Sequence, residues 1–541
     1  MKRAELVNAT QAQLDELLAQ AKPTFSTQQY ELLERVLGTF VYVMQSLQSA
    51  KTSIKRFRQM LFGARTESKR NVFEDPGATG EPANSDPPGA GDATSTLGDP
   101  DAKPSPPGHG RNGAQAYRDS PVVDIAVPDL QPGDPCPECT TGKVYDSPPK
   151  VLVKVVGQPP LAATVYKLQQ LRCRLCDASF TAPVPEGASA PKYDHSCASM
   201  LALLRYGGGM PFYRLEGLQS NLNVPLPDAT QWDIVAKAVP GPRAAFEELI
   251  RQAAQVELLH NDDTPARILA LMHERAKAEA AGQTPVAKAI NTTGIVAERQ
   301  GRKMVLFFTG HAHAGQNITK VLAHRAKELE PPIQMCDALA ANISPEFATI
   351  VCNCVAHGRR LFVDVAEHFP KECRYVIEVL AKVYAVDAHC RAEKMSPEQR
   401  LVHHQAASRA PMQDLHKWMN EQLEQRRVEP NSSLGGALRY MLNHWNELTL
   451  FLRKAGAPLD NNIVERALKR AIRHRKNSLF YKTLNGAEVG DIYMSLIHTC
   501  QLGNVNAFAY LQALQIHAQG VKTNAALWMP WNYREQLARG P

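Results

Sequence analysis

The chain has 541 residues, of which 44% are apolar and 21% charged, so it contains enough hydrophobic material for several buried cores. Lys and Arg (61) exceed Asp and Glu (54) by only 7, so any affinity for nucleic acid must come from local clusters of charge. The sequence lacks a run of about 18 apolar residues and its first residues lack a signal-peptide core, which predicts no membrane span and no secretory route. We therefore expect a cytoplasmic protein. Its length and the elements described below predict a multidomain α+β fold.

Residues 1–73 are predicted to be helical, and the Gly- and Pro-rich residues 74–112 form a predicted disordered linker. Between Glu74 and Gly110 there are 7 Gly and 8 Pro, a composition that cannot form a packed core. Before the linker, apolar residues recur at helical spacing from Leu33 to Leu61. A dimerising coiled coil and a core helix of a small bundle both fit this stripe, because Lys51 interrupts it.

Two CxxC pairs predict a zinc ribbon over residues 113–190. Cys136 and Cys139 form the first pair, and Cys173 and Cys176 form the second. Four thiolates on two short knuckles are the ligand set of a closed structural Zn²⁺ site. The alternative is that these are ordinary buried cysteines, and the spacing does not decide whether such a ribbon contacts DNA or only holds the fold.

Residues 191–250 are predicted to be helical, with a glycine turn at residues 207–209, a helix from Pro211 to about Asn221 and another from about Asp228. Two short helices around a tight turn fit a helix-turn-helix, in which the segment around Thr230-Gln231-Trp232 enters a DNA groove. A helical hairpin that only packs is the alternative.

From Val256 onward the pattern changes to mixed α/β. Strand-like runs at Val256–His260, Ala266–Leu271 and Met304–Thr309 precede a helix-like stretch at Ile318–Leu329 and strands at Ile333–Cys336 and Ala348–Val351. This order suits a ribonuclease-H-like core. We assign that core to residues 251–500, with a helical insertion at about 370–457 and a C-terminal region at 501–541.

Three acidic residues occupy the positions where such a core carries metal ligands. Asp262 closes the first strand, Asp337 closes the fourth, and Glu465 lies on a later helix. Carboxylates are the natural ligands of the two Mg²⁺ or Mn²⁺ ions that phosphodiester chemistry uses. Each acid also has a structural interpretation, as a turn or N-cap residue for Asp262 and Asp337 and as part of a capping box with Asn462 for Glu465.

Basic residues follow Glu465 along the same predicted helix face, at Lys469, Arg473 and Lys476. These side chains, with Arg359 and Arg360, are candidate contacts for DNA phosphates. Just before Arg359, the residues Cys352, Cys354 and His357 form a CxCxxH motif. We interpret it as two core thiols and a histidine near the active site rather than as a second metal site.

Several segments in order resemble the transposases of the insertion sequence 66 family. They are HNDDTP, IQMCDALAANIS, CNCVAHGRRLFVDV, EPNSSLGGALRYMLNHW, PLDNNIVERALKRAIRHRKNSLFYKT and GDIYMSLIHTC, preceded by RFRQMLFGARTESK, GHGRNGAQAY, the two CxxC pairs and KYDHSCASMLALLRYGGGMPFYRL. The resemblance implies a DDE transposase with a ribonuclease-H-like core, in which Asp262, Asp337 and Glu465 bind the metal ions. Asp263 departs from the family pattern, where many members carry Glu, and this leaves open whether Asp262 or Asp263 is the ligand.

The resemblance also implies a function and its partners. The expected protein binds the ends of its insertion sequence, cleaves them and joins them to target DNA, within the bacterial nucleoid. It is expected to act as a homo-oligomer, with accessory proteins encoded by the same element and no membrane partner. A structure-specific nuclease on the same core and a non-catalytic zinc-ribbon DNA-binding protein are the alternatives.

Overall fold

In the computed structural model of this chain, the described residues are 191–282, 289–299 and 301–539, with short pieces between residues 18 and 188. They divide into two compact units, one drawn from residues 1–78 and 249–472 and the other from residues 79–248 and 473–541. Most of the predicted N-terminal helix and all of the linker at 74–112 lie outside the described residues. Within the described part of the chain, no helix is both long and apolar enough to cross a bilayer.

A short antiparallel hairpin flanks the second cysteine pair. Its strands are β1 (Gln170–Arg172) and β2 (Ser179–Thr181). Cys136 lies in another turn, where its backbone N–H donates to Gly142 O at 2.8 Å. The other three predicted zinc ligands, Cys139, Cys173 and Cys176, lie outside the described residues, so the zinc ribbon stays a prediction.

Helices follow from residue 195. They are α1 (His195–Ala202), which continues as a π-helical turn at Leu203–Gly207, α2 (Phe212–Asn221), α3 (Asp228–Lys237) and α4 (Pro240–Ala253). The predicted ends at Asn221 and Asp228 are confirmed. Gln231 is fully buried and its side-chain amide donates to Leu226 O (2.8 Å) and Phe212 O (3.2 Å). Gln231 is therefore used inside the α2–α3 hairpin and is not available to read DNA, which favours the packing interpretation.

A five-stranded mixed sheet forms the centre of the unit that contains Leu249–Ile472. Its elements in chain order are β3 (Leu258–Pro265), α5 (Leu269–Ala280), β4 (Asn291–Arg299), β5 (Arg302–Gly310), α6 (Ala314–Leu322), β6 (Ile333–Cys336), β7 (Ile350–Asn353) and α7 (Val355–Val365). The spatial order is β5-β4-β3-β6-β7. Strands β3, β4 and β5 are antiparallel neighbours, whereas β3, β6 and β7 run parallel.

The structure confirms the predicted strand at Ile333–Cys336, and β5 contains the predicted Met304–Thr309. The predicted strand at Ala266–Leu271 is wrong, because α5 begins at Leu269 and the first strand continues instead to Pro265. Strand β4 was not predicted. It begins with the buried polar residues Asn291, Thr292 and Thr293, and Thr292 and Thr293 form hydrogen bonds with Thr309 (2.9 Å) and Asp263 (2.6 Å) of the neighbouring strands. The strand therefore shows no alternation of apolar and polar residues.

The predicted helical insertion is confirmed as helical. It contains α8 (Pro370–Ala392), α9 (Pro397–Ala407), α10 (Arg409–Glu424), α11 (Ser433–Asn443) and the short α12 (Trp445–Leu448). Apolar side chains of these helices, such as Leu380, Leu415 and Leu438, share one buried cluster with Met335 of β6 and Phe362 of α7. The insertion therefore packs as part of the same core as the two parallel strands.

The long helix α13 (Asn462–Ser478) begins in the first unit and ends in the second. It is followed by α14 (Leu484–Leu502), α15 (Ala507–Ile516), α16 (Ala518–Thr523) and α17 (Tyr533–Arg539). Within the second unit, Tyr493 of α14 donates a hydrogen bond to Val235 O of α3 at 3.2 Å. Residues far apart in the sequence thus share a core in each unit.

Candidate active site

Asp262 lies in β3 directly opposite Gly294 of β4, so the two residues share one face of the sheet. A Cβ atom at Gly294 would lie 2.9 Å from Leu468 Cδ2 and 3.3 Å from Val464 Cγ2. A residue without a side chain is therefore needed for α13 to approach the sheet this closely. The face that carries Asp262 also receives the turn of α13 that contains Glu465.

Asp337 follows β6, the parallel neighbour of β3. The parallel pairing of these strands ends with His260 opposite Met335, and Asp262 and Asp337 each follow that pair by two residues. One oxygen of Asp337, Oδ1, accepts hydrogen bonds from Leu339 N (3.2 Å) and from the Asn342 side chain. The loop after β6 thus orients this carboxylate beside β3.

Asn461 connects the start of α13 to the sheet, a role that sequence reasoning missed. It is fully buried, its side-chain amide donates to Asn261 O (2.9 Å), and its backbone N–H donates to Cys354 Sγ (3.2 Å). Its Oδ1 lies 3.0 Å from His260 Nδ1. These contacts attach α13 to β3 immediately before Asp262, and they set the position of Glu465 one helical turn later.

The hydrogen bonds of Asn461 also define the state of His260. Because the amide nitrogen of Asn461 already donates to Asn261 O, its Oδ1 is the acceptor and His260 Nδ1 carries the proton. Burial lowers the pKa of His260 to about 4. The ring is therefore neutral at pH 7, and His260 adds no positive charge next to the acidic residues.

The acidic residues repel one another in a partly buried setting. Burial raises the pKa of Asp262 to about 7, and the negative charges of Asp337, Glu465 and Asp263 add to the shift, which the hydrogen bond from Asp263 N (2.8 Å) opposes. A carboxyl group with such a pKa takes up a proton as the pH falls through about 7, so protons compete there with cations. A divalent cation would relieve this repulsion.

Asp263 points away from this group, because neighbouring residues of a strand face opposite sides of the sheet. Its carboxylate accepts hydrogen bonds from Thr293 Oγ1 (2.6 Å) and from Ala314 N (2.9 Å), at the first turn of α6. His313 Nδ1 lies 3.3 Å from the same carboxylate. Asp263 therefore fastens α6 to the sheet, and Asp262 is the member of the pair that lies on the same face as α13.

Glu465 meets the CxCxxH motif at the start of α7. Its Oε1 lies 3.8 Å from His357 Nε2 and, among the described residues, it is a buried atom with no hydrogen-bond partner. Ligand atoms of Glu465, His357 and Cys354 lie within 4.8 Å of one another. Burial raises the pKa of Cys354 to about 11, so it is a neutral thiol. The thiols of the motif are thus buried and its histidine lies beside Glu465, and the spacing of the three ligand atoms is also compatible with a bound metal ion.

The capping-box interpretation of Glu465 does not fit the start of α13. The backbone N–H of Asn462 donates to Asp460 Oδ1 at 3.2 Å, so Asp460 provides the hydrogen bond that the box assigns to Glu465. The side chain of Glu465 faces His357 instead.

The predicted DNA contacts lie on two helices. Lys469, Arg473 and Lys476 are exposed along α13, and Arg359 and Arg360 are half-buried on α7, two and three residues after His357. The α13 side chains follow Glu465 at helical spacing, so a cationic row begins next to the acidic residues.

Comparisons with known proteins identify the family. A family model described as Transposase IS66 family matches residues 192–489, which is more than half of the chain. The chain is also 29% identical over 242 residues to uncharacterized protein y4jD of Sinorhizobium fredii, a match that covers 44% of this chain and 43% of that relative. Uncharacterized protein y4hP of the same organism is 23% identical over 391 residues, 68% of each chain. The match to the family model shows that this chain belongs to the IS66 family of transposases.

Proposed function

We propose that this protein is a DDE transposase that binds the ends of its insertion sequence, cleaves them and joins them to target DNA. The observation that carries the proposal is the placement of Asp262, Asp337 and Glu465, which come from a central strand, the end of its parallel neighbour and a helix on the same face. The three residues are far apart in the sequence. The pairing of β3 with β6, the contacts of Asn461 and the effect of the Asp337 and Glu465 charges on the pKa of Asp262 support their proximity.

The strand topology supports a ribonuclease-H-like core. Apart from α5 after the first strand, the chain order of three antiparallel strands, a helix and two parallel strands agrees with the order of elements from which that fold was predicted. In such a core the first strand is central and carries one catalytic acid. Asp262 occupies that position in β3.

The acidic residues fit a pair of divalent cations, Mg²⁺ or Mn²⁺. All three offer hard oxygen ligands, and Glu465 Oε1 is a buried acceptor without a partner among the described residues. Burial raises the pKa of Asp262, and the negative charges of the neighbouring acidic residues add to that shift. When bound, such ions activate the attacking oxygen and stabilise the leaving oxygen of a phosphodiester.

The chain's own residues have distinct roles in this proposal. Asp262 and Asp337 hold the cations from the sheet, and Glu465 holds them from α13. Asp263 keeps α6 in place, and Asn461 keeps α13 in place. The half-buried Arg359 and Arg360, with Lys469, contact the phosphates of the strand being cut.

The test is an assay of purified full-length protein with Mg²⁺ and DNA duplexes that carry the ends of the insertion sequence. A transposase produces both cleaved ends and products joined to target DNA. Cleaved ends without joined products would favour the structure-specific nuclease. Binding without either product would favour a non-catalytic DNA-binding protein.

The cationic row of α13 should contribute to DNA affinity through its phosphate contacts. Each contact adds nearly one unit to the slope of log affinity against log salt concentration, so changing Lys469, Arg473 and Lys476 to Gln should reduce that slope by roughly two to three units. Fluorescence anisotropy with a labelled duplex over a range of salt concentrations measures it. An unchanged affinity and slope would show that these three side chains face solvent in the complex and do not contact DNA.

The four cysteines of the predicted ribbon should bind one Zn²⁺ per chain, because a closed four-thiolate site contributes directly to folding. Elemental analysis of purified protein should find stoichiometric zinc, and the double variant Cys136→Ser, Cys139→Ser should lose it. Cys197, a half-buried cysteine outside the pairs, provides the control variant Cys197→Ser. Zinc that persists in the double variant would rule out the ribbon.

We also expect the protein to work as a homo-oligomer with accessory proteins of the same element, as the family resemblance implies. If the apolar stripe from Leu33 to Leu61 is a dimerising coiled coil, deleting residues 1–70 should lower the mass measured by light scattering, whereas an unchanged mass would favour a core helix of a small bundle.

A further inference from the structure

An exposed apolar tip follows the C-terminal end of α13. It consists of Leu479, Phe480 and Leu484, whose exposed fractions are 58%, 36% and 52%. Two of them lie in the loop between α13 and α14, and Leu484 is the first residue of α14. Large apolar side chains at a loop tip are costly to hold in water, and grouped exposure of this kind marks an interaction site.

The backbone of the tip is strained. Leu479 has φ of 66°, and Phe480 N donates to Ser478 O at 2.8 Å, so Leu479 is the central residue of a three-residue turn with positive φ. This type of γ-turn is rare, and a positive φ is unfavourable for a residue with a branched side chain. Such strain persists only where surrounding contacts impose it.

Contacts on both sides of the tip impose this conformation. Before it, Asn477 Nδ2 donates to Gly209 O (2.8 Å) and Arg205 donates to Ser478 Oγ. After it, the ring of Tyr481 is stacked on His474, with ring centroids 4.8 Å apart. The tip is therefore a rigid projection, and its apolar side chains are held outward rather than left loose.

Positive charge surrounds the tip. Lys476 and Lys482 are exposed on either side of it, and Arg473 is exposed one turn earlier on α13. Lysine is depleted at the centres of protein–protein interfaces, whereas apolar wedges flanked by Lys and Arg occur in proteins that kink DNA. Charge complementarity therefore favours nucleic acid as the partner.

We propose that the tip is a wedge that enters between neighbouring base pairs of bound duplex DNA and unstacks them. Lys476 and Lys482 contact the flanking phosphates, while Leu479 and Phe480 cover the exposed base faces. This inference rests on the proposed DNA binding and adds a deformation of the DNA to it. A rigid wedge lowers the cost of distortion because no loop must be ordered on binding.

The test measures the unwinding that such a wedge causes. Closed-circular plasmid is relaxed by a topoisomerase in the presence of full-length protein, and the linking number is read after the protein is removed. The wild type should leave the plasmid underwound in proportion to the protein bound. The double variant Leu479→Gly, Phe480→Ala should lose this effect several-fold per bound protein. Glycine adopts the positive φ without strain, so the variant should melt at or near the wild-type temperature.

Ile516, an apolar residue exposed to 52% at the end of α15 in the same unit, provides the control variant Ile516→Ala. It should unwind plasmid like the wild type. Wild-type binding without a change of linking number, or full unwinding by the double variant, would overturn the wedge and leave the proposed function standing. Failure of the wild type to bind the plasmid at low salt would overturn both.

Discussion

Replacing Asp262, Asp337 or Glu465 by its amide should abolish strand cleavage and joining while leaving DNA binding intact. Each change keeps the shape of the side chain and removes one negative charge from a site that must hold two divalent cations. We expect each variant to lose activity by roughly a thousandfold or more, the scale on which single catalytic groups act in enzymes. DNA affinity should be retained, because losing a carboxylate makes the site less repulsive to phosphate. Gel assays of end cleavage and strand transfer in Mg²⁺, with anisotropy for binding, measure both properties.

Asp263→Asn is the matched control, because Asp263 lies next to Asp262 but on the opposite face of the sheet. It loses charge and part of the hydrogen bonding at the start of α6, which should lower the free energy of unfolding by about 1 kcal/mol. Measurable cleavage should remain. An inactive Asp263→Asn beside an active Asp262→Asn would mean that the ligand is Asp263.

The change Asn461→Ala should have the largest effect on stability of any residue near the site. It removes the donor to Asn261 O, leaves His260 Nδ1 without its acceptor and opens a small cavity in a fully buried position. We expect the free energy of unfolding to fall by about 3 kcal/mol, as measured by urea denaturation. Because Asn461 also positions Glu465, the Mg²⁺ concentration for half-maximal cleavage should rise at temperatures where the variant is folded.

Asn462→Ala provides the comparison at the next position. Asn462 is exposed, and its hydrogen bond to Asp460 Oδ1 is made by its backbone N–H, which alanine retains. Its free energy of unfolding and Mg²⁺ requirement should remain close to those of the wild type. Equal effects at the two positions would show that the contacts of Asn461 do not attach α13 to the sheet.

The local features of this fold were predictable from the sequence, whereas several long-range ones were not. The strand at Ile333–Cys336 is short, apolar and bounded by turn residues, and its ends were predicted correctly. The run at Ala266–Leu271 is too short to distinguish a strand from a helix by its pattern, and the structure places the start of α5 there. Strand β4 contains buried polar residues whose hydrogen-bond partners lie elsewhere in the unit. Its sequence therefore lacks the alternation of apolar and polar residues that would predict a strand.

The candidate site shows the same division. The strand end before Asp337 and the helix that carries Glu465 follow from composition and order, whereas Asp262 lies inside β3 rather than at its end. The register of β3 with β4, and not a local pattern, puts Asp262 rather than Asp263 on the face that α13 approaches. The attachment by Asn461 depends on residues about two hundred positions earlier in the chain. No local pattern marks an asparagine beside Asn462 as the buried member of the pair.

Val355 at the start of α7 and Leu459 after the helical insertion are joined by a backbone hydrogen bond, from Val355 N to Leu459 O at 3.0 Å. The chain therefore leaves the sheet at Val355 and returns beside the same residue at Leu459, more than a hundred residues later. The relative positions of Asp262, Asp337 and Glu465 thus do not depend on the length of the segment between these two residues. The long segment should slow folding, because the chain loses the entropy of closing this loop before the contacts between its ends can form. We therefore expect Glu465 to join the other two carboxylates only after this long loop has closed.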